Sequence, residues 1–299
     1  MAQPKKKFVI GVPTVRRARA YLDRTVASLV TGMSDLNRTQ SRIVILDAEP
    51  EAGANPVINE LKQTWPDLVA SGFITVLRRE SPLELESDVL SLKERWQRKQ
   101  ALDCVELFQR CSTLGEYYLH VEDDIIASSG FLAAVERRLE SHVARGSNWR
   151  ILSFYNSYKM RDDDSYSETR LNRHYFGLIG QLLRSQDLPD LARYICAHYN
   201  RAPVDVLVGW FVLKSGGWVY AHSPSLFQHV GVISSLQGRT QMWTAPEFEE
   251  GRVARLGREI VGLRDAIIYQ PRSVGAFLRL KLGFHPRSAA IINEGRIPH

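Results

Sequence analysis

The sequence contains few cysteines and no long apolar run. Only three cysteines occur among 299 residues, none of them in a CxxC pair, so we expect reduced thiols in a core rather than disulfides or a zinc site. No segment approaches the ~18 apolar residues of a membrane span. The basic start MAQPKKKFVI is not followed by the apolar stretch of a secretory signal. A complete chain of this kind is expected to be cytoplasmic, whereas a trimmed chain could have lost an anchor.

Internal repeats and low-complexity segments are absent as well, and neither sign of charge dominates. The chain has 39 Lys and Arg against 33 Asp and Glu, which gives a formal net charge of +6. This mild excess fits an anionic substrate or a membrane surface, and it does not by itself indicate a nucleic-acid partner. The basic end LRLKLGFHPR predicts peripheral contact with an anionic membrane.

The sequence does contain regularly alternating strand-like and helix-like segments. Buried strands are predicted at 8–12, 42–46, 73–77 and 117–121, and amphipathic helices at 18–30, 56–65, 93–110 and 130–144. This alternation predicts an α/β fold with a mostly parallel central sheet flanked by helices. The second half is less regular, with a polar stretch at 155–175 whose length is typical of a lid, a binding loop or a disordered segment. In such sheets ligands bind beyond the carboxyl ends of the strands.

An acidic triplet, Glu122, Asp123 and Asp124, directly follows the predicted strand at 117–121. Carboxylates beside a hydrophobic core are costly to desolvate unless another group compensates them. Carboxylates together with phosphates suit a hard divalent cation such as Mg²⁺ or Mn²⁺. We interpret the triplet as a DxD-like metal site of a sugar-nucleotide enzyme, with Asp124 as the direct ligand. The alternative is an acidic helix N-terminus or surface turn.

Further charged or polar residues each allow two interpretations. His229 in PSLFQHVG is either an ordinary histidine or a third metal ligand. Asp205 in RAPVDVLVGW is either a first-turn helix acid or a general base that takes a proton from an attacking hydroxyl. Arg95 and Lys99 share one side of a helix, which is either a solvated face or a diphosphate contact. A second acidic run at 162–164 follows no strand and is interpreted as solvated surface.

Several motifs occur in order along the chain: IGVPTVRRARAYLDRTVASLV, ERWQRKQALD, YYLHVEDDII, FGLIGQLLRSQDL, APVD and PSLFQHVGVISSLQG. Over roughly residues 8–240 this set resembles the catalytic domain of the N-acetylglucosaminyltransferase IV family, the enzymes that make the β1,4 branch on the α1,3-mannose arm of N-glycans. The resemblance implies a GT-A fold, UDP-GlcNAc as donor, a glycan acceptor, a divalent metal that is usually Mn²⁺, and inversion at the anomeric carbon.

On the basis of this resemblance we expect Asp124 and His229 to bind the metal. Donor binding is expected at strand ends and on the helix at 93–110, through Pro13, Thr14, Asp47, Arg95, Lys99, Glu122 and Asp123. Asp205 matches the acid of the family's Pro-Ile-Asp segment and is the candidate catalytic base. The family has another acid four residues later, where this chain has Gly209. If that later acid is the base, this chain is impaired or altered.

The resemblance also predicts a domain organisation. Residues 1–240 would form the catalytic domain, with a nucleotide-sugar-binding half to about 125, an acceptor-binding half from about 126, and an extension at 241–299. The membrane anchor, stem and lectin-like domain of eukaryotic members are not recognised in this sequence. A bacterial-type cytoplasmic enzyme is therefore one expectation, and a trimmed Golgi-lumen enzyme is the other. A sugar nucleotidyltransferase and a non-catalytic UDP-sugar-binding or glycan-binding homologue are the functional alternatives.

Overall fold

The computed structural model describes residues 5–49, 55–79, 90–157, 177–236, 244–245, 247–248, 261, 263–265 and 268, and the backbone of 168–171. The strands are β1 (Lys6–Thr14), β2 (Ser41–Asp47), β3 (Ile74–Arg78), β4 (Gly115–His120), β5 (Ile125–Ala127), β6 (Trp149–Ser153), β7 (Glu168–Leu171), β8 (Gln181–Arg184), β9 (Trp218–His222) and β10 (Phe227–His229). The helices are α1 (Leu22–Thr31), α2 (Asp35–Gln40), α3 (Pro56–Thr64), α4 (Pro66–Ala70), α5 (Leu92–Cys111), α6 (Phe131–Ala144), α7 (Leu188–His198) and α8 (Val204–Lys214).

Eight of the strands form one sheet in the order β3–β2–β1–β4–β8–β6–β9–β7. The first four strands of this order run parallel, so their carboxyl ends meet at one edge. Every position of β2 is buried, because helices cover both faces of a parallel sheet. The predicted α/β fold with a mostly parallel sheet is confirmed, although β8 and β7 pair antiparallel with their neighbours.

Hydrophobic side chains fill both sides of the sheet. One cluster joins the sheet to α1, α3 and α6, and the other joins it to α5, α7 and α8. Cys104 and Cys111 are buried in the second cluster, and Cys196 is exposed on α7. All three thiols are free, as the sequence predicts, but the expectation of a core position is wrong for Cys196.

The segment at 155–175 differs from the predicted polar loop in two places. Residues 155–157 are buried, and 168–171 form β7, which pairs antiparallel with β9. Pairing with the edge of a sheet overrides a polar composition, which alone predicts a loop. The acidic run at 162–164 lies outside the described residues.

The described part of the C-terminal segment packs on the sheet domain. Gln228 bonds Ala245 at both its amide oxygen and its amide nitrogen, at 2.7 and 3.2 Å. Leu263 packs against Val232 and Ile233. The basic end that predicts membrane contact lies outside the described residues. None of the helices in the described ranges is long and apolar enough to cross a membrane.

Candidate active site

The acidic triplet leaves the sheet at the carboxyl end of β4. The amide of Val121 donates to the carbonyl of Gly11 at 3.0 Å, so strand pairing continues one residue beyond β4. Thr25 of α1 then holds the turn, because its hydroxyl donates to the carbonyl of Asp123 at 2.9 Å and accepts from the amide of Ile125 at 3.1 Å. Helix α1 therefore fixes the backbone that carries the three carboxylates.

A two-stranded ribbon brings His229 to the triplet. Strands β5 and β10 pair antiparallel, with His229 opposite Ile125. Beyond β10, the amides of Val230 and Gly231 donate to the carbonyl of Asp124 at 2.9 and 3.2 Å. As a result Nε2 of His229 lies 3.4 Å from Oδ2 of Asp124. The ribbon thus joins two residues that are distant in the sequence.

Glu122, Asp124 and His229 form a group that fits a divalent cation. Each offers one ligand atom, and the three atoms lie within 4.8 Å of one another. Oδ1 of Asp124 and Nε2 of His229 are buried, and neither has a hydrogen-bond partner in the part of the chain that the structure describes. A buried polar atom without a partner is costly, and a cation that accepts both lone pairs removes that cost. Carboxylate and imidazole ligands of this kind suit Mn²⁺, and carboxylates also suit Mg²⁺.

Asp123 is held by protein side chains and stands apart from this group. Its Oδ2 accepts a 2.6 Å hydrogen bond from the hydroxyl of Thr14. Its Oδ1 is paired with Nη2 of Arg17, whose Nη1 lies 2.6 Å from Oδ2 of Asp124. One guanidinium therefore binds two neighbouring carboxylates.

Burial and the local charges give the three acids different pKa values. Burial, with Asp124 adding to it, raises the pKa of Glu122 to about 7. Burial also raises the pKa of Asp123 to about 6, against the opposing effect of Arg17. Burial disfavours the charge on Asp124 too, but Arg17 and His229 outweigh it and hold the pKa of Asp124 below its ordinary value. Negative charge is therefore concentrated on Asp124, the residue predicted to contact the metal.

Two of the predicted donor-binding residues lie beside this site at the ends of neighbouring strands. Thr14, the last residue of β1, pairs with Asp47, the last residue of β2. Just beyond, the amide of Ala48 donates to the carbonyl of Thr14 at 2.9 Å. Burial raises the pKa of Asp47. Pro13 precedes Thr14 and is half-buried, so these residues share the sheet edge that carries the triplet.

The two residues of α5 that are predicted to bind the donor, Arg95 and Lys99, differ in their contacts. The ammonium of Lys99 donates to the carbonyl of Ala48 at 2.9 Å and to Asp103 at 2.8 Å, so it has structural partners. Arg95 is exposed. Its neighbour Trp96 donates through Nε1 to the hydroxyl of Ser235 at 2.9 Å. The start of α5 therefore contacts the segment that follows His229 through Trp96.

Asp205 lies in the first turn of α8 and contacts a turn that leads back to the site. One carboxylate oxygen accepts from the amide of Gly177 at 3.3 Å. That turn enters β8, whose first residue, Gln181, pairs with His120 at the end of β4. Burial raises the pKa of the Asp205 carboxyl. Asp205 is thereby attached to the same end of the sheet as the triplet.

A family model and several curated relatives match this chain. A family model described as "MGAT4 conserved region" matches residues 1–158. The chain belongs to the MGAT4 family. An alpha-1,6-mannosyl-glycoprotein 4-beta-N-acetylglucosaminyltransferase of Gallus gallus is 31% identical over 261 residues, which cover 82% of this chain and 51% of that protein. The alpha-1,3-mannosyl-glycoprotein 4-beta-N-acetylglucosaminyltransferase B of Homo sapiens is 29% identical over 266 residues, which cover 80% of this chain and 44% of that protein.

These relatives confirm the resemblance to the N-acetylglucosaminyltransferase IV family. The MGAT4 chain spans about half the length of the curated relatives it matches, and those relatives are named as glycosyltransferases. A solved structure, GalNAc-T7 with UDP, GalNAc and Mn²⁺, has a TM-score of 0.52 and 11% identity, covering 80% of this chain and 46% of that one. At this identity the match concerns the fold alone, and it confirms the predicted GT-A type.

Sequence reasoning missed three residues of the site in this MGAT4 chain. Arg17 lies three residues beyond the end of β1, and the rule that ligands bind beyond strand ends could have identified it. Gly231 lies against Asp124, because a Cβ at this position would come within 2.2 Å of Oδ2. Thr25 is a polar residue on the buried face of α1, and nothing in the sequence distinguishes it from an ordinary helical threonine.

Proposed function

We propose that this MGAT4 chain is a metal-dependent inverting glycosyltransferase that moves N-acetylglucosamine from UDP-GlcNAc to a sugar hydroxyl of a glycan. The observation that carries the proposal is the group of Glu122, Asp124 and His229, with its two unpartnered buried atoms, beyond the carboxyl end of a parallel strand. The names of the relatives, which are 4-beta-N-acetylglucosaminyltransferases, support the donor sugar and a β1,4 linkage. UDP and Mn²⁺ in the GalNAc-T7 structure support the nucleotide and the ion.

In this proposal Asp124, His229 and Glu122 hold the metal. A bound Mn²⁺ or Mg²⁺ offsets the negative charge that develops on the diphosphate as UDP leaves. Asp123 contributes a charge next to the donor and is itself fixed by Thr14 and by the guanidinium that it shares with Asp124. The carboxylates are thus held in place before the donor arrives, which lowers the cost of reorganisation.

The donor's nucleoside is assigned to the edge formed by β1 and β2. Pro13, Thr14 and Asp47 would contact uridine or ribose, because ligands of such sheets lie beyond the strand ends. Arg95 would approach the diphosphate from the first turns of α5, where it is exposed. Lys99 supports this region less directly, since Asp103 and the carbonyl of Ala48 already engage its ammonium.

Asp205 is proposed as the base that removes the proton from the acceptor hydroxyl. Its raised pKa brings its proton affinity closer to that of a base working near neutral pH. The amide of Gly177 donates to Asp205 at 3.3 Å and belongs to the turn that enters β8 beside the end of β4. This contact supports a site shared with the triplet.

We further propose that residues 1–240 form the catalytic domain, divided near 125 into donor and acceptor halves, with 241–299 as an extension packed on it. The bonds between Gln228 and Ala245 support this packing. Location in the cytoplasm or in the Golgi lumen stays a prediction.

A panel of UDP-sugars, each incubated with a mannose-terminated glycan and Mn²⁺, tests the proposed reaction through UDP release. UDP-GlcNAc is expected to give the fastest release, with none after chelation by EDTA. Pyrophosphate release would instead identify a nucleotidyltransferase. Binding of UDP without turnover, even of donor hydrolysis, would identify a non-catalytic homologue, which the Gly209 position allows.

A further inference from the structure

Arg17 makes the most extensive charged contact in the described part of the site. Its Nη1 lies 2.6 Å from Oδ2 of Asp124, and its Nη2 is paired with Oδ1 of Asp123. The Arg17 side chain is only 11% exposed, and the two carboxylates are 4% and 3% exposed. Charge-assisted hydrogen bonds from a planar guanidinium fix the orientation of a carboxylate as well as its charge.

The two carboxylate oxygens of Asp124 have different surroundings. Oδ2 lies 2.6 Å from the guanidinium and 3.4 Å from Nε2 of His229, whereas Oδ1 is buried and has no hydrogen-bond partner among the described residues. A metal-ligating carboxylate is generally oriented by a hydrogen bond on its other oxygen. Arg17 supplies that bond, so a cation at Oδ1 does not need to displace it.

The charge of the site points in the same direction. A bound cation favours the ionised form of its carboxylate ligands. With all three carboxylates ionised, the triplet and the Arg17 guanidinium together carry two net negative charges, which one divalent cation neutralises. Without Arg17 the occupied site would stay negative and would repel an incoming diphosphate, and repulsion between charges is strong where water is excluded. With Arg17 present, the net negative charge of the site is therefore equal in size to the charge of one divalent ion.

We propose that Arg17 is a positioning residue that keeps both carboxylate contacts when the metal binds, and that it orients Asp124 as a ligand. The proposal rests on the proposed function, because it takes Glu122, Asp124 and His229 as the metal site. In the opposite role, the guanidinium of Arg17 takes the place of the metal ion and must leave the site before the metal binds. The two roles predict changes of opposite sign in metal affinity when Arg17 is replaced.

The test is a titration of the full chain with Mn²⁺ in the absence of nucleotide. The electron paramagnetic resonance signal of free Mn²⁺ measures how much of the ion is bound. Arg17→Lys keeps the charge but cannot hold two carboxylates in one plane, and Arg17→Gln removes the charge. Both variants are expected to raise the dissociation constant of Mn²⁺ by about 10- to 100-fold, and the spectrum of the bound ion should broaden as Asp124 loses its fixed orientation.

Arg19→Lys is the matched control. It replaces an arginine of the same segment, one that pairs with Asp265 through Nε at 3.3 Å, and Mn²⁺ affinity should stay at the wild-type value. Thermal unfolding confirms that each variant is folded, and either Arg17 variant alone decides the question if the other does not fold.

Wild-type Mn²⁺ affinity in Arg17→Lys, or tighter binding in Arg17→Gln, would overturn the positioning role. A wild-type chain that binds no Mn²⁺ would overturn this inference and the metal site of the proposed function together. Mn²⁺ binding that depends on Arg17, in a chain that releases no UDP from UDP-GlcNAc, would support the inference while the proposed function fails. The two failures are thereby distinguishable.

Discussion

Nε2 of His229 lies 3.4 Å from Oδ2 of Asp124, and a short ribbon outside the main sheet creates this proximity. The ribbon consists of β5 and β10, which have three residues each. Its register sets His229 opposite Ile125, directly after the triplet. The geometry of the candidate metal site therefore depends on a small element whose own pairing contributes little stability.

Gly231 tests how closely the chain must approach Asp124. A Cβ at this position would lie 2.2 Å from Oδ2 of Asp124, well inside contact distance, so Gly231→Ala should push the carboxylate away from Arg17 and His229. We expect the dissociation constant of Mn²⁺, measured by isothermal titration calorimetry, to rise by about tenfold or more.

Gly146→Ala serves as the control for this substitution. Gly146 follows α6 at a φ of +61°, and none of the described residues places an atom within 4 Å of an added Cβ. The change should cost about 1 kcal/mol of stability through backbone strain and leave Mn²⁺ affinity unaltered. Equal Mn²⁺ affinity in Gly231→Ala and the wild type would show that Asp124 tolerates the displacement or does not bind the ion.

Thr25 tests whether α1 supports the acidic turn. Thr25→Val keeps the side-chain shape but removes the hydroxyl that bonds to Asp123 and Ile125, leaving buried backbone groups unpaired. We expect the free energy of unfolding, measured by urea titration, to fall by about 1–3 kcal/mol.

Thr31→Val in the same helix is the matched comparison for Thr25→Val. Its exposed hydroxyl donates to the carbonyl of Ala27, four residues earlier in the helix. The expected loss is below about 0.5 kcal/mol. Similar losses for the two valine variants would mean that the hydroxyl of Thr25 does not support the turn.

Asp205→Asn tests the assignment of the base. The amide keeps the size of the side chain but cannot take a proton, so transfer should slow by about 10²–10⁴-fold while the dissociation constant of UDP stays unchanged. Initial rates and UDP titration measure the two quantities. Asp190→Asn, which alters an exposed acid on α7 that pairs with Arg193, should leave both unchanged. Loss of UDP binding in Asp205→Asn would instead make Asp205 a donor-site or structural residue.

The sequence predicted the part of the site that follows from parallel strands. Thr14, Asp47 and the triplet each come directly after a buried apolar run, and the carboxyl ends of parallel strands share one edge. Their convergence therefore needed no knowledge of tertiary contacts. The strands at 8–12, 42–46, 73–77 and 117–121 were confirmed for the same reason, since continuous apolar runs of this length are typical of buried strands.

Other contacts could not be predicted because local pattern does not determine them. Strands of three residues, such as β5 and β10, are too short to show a periodic pattern. The sequence therefore could not predict that His229 lies next to Asp124. Arg16, Arg17 and Arg19 look alike in PTVRRARAY, and only the packed structure shows that Arg17 is the one that reaches the acids. By contrast, the ion pair between Lys99 and Asp103 could have been predicted from the sequence, because Asp103 lies four residues later on the same face of the helix.

The most direct measurement is the rate of UDP release from UDP-GlcNAc with a glycan acceptor, across a Mn²⁺ titration, for the wild type and for Asp124→Asn. The proposed function predicts a rate that rises to saturation with Mn²⁺ in the wild type and falls by more than about 100-fold in Asp124→Asn. Undiminished turnover by Asp124→Asn, or by the wild type after complete removal of divalent ions, would contradict it.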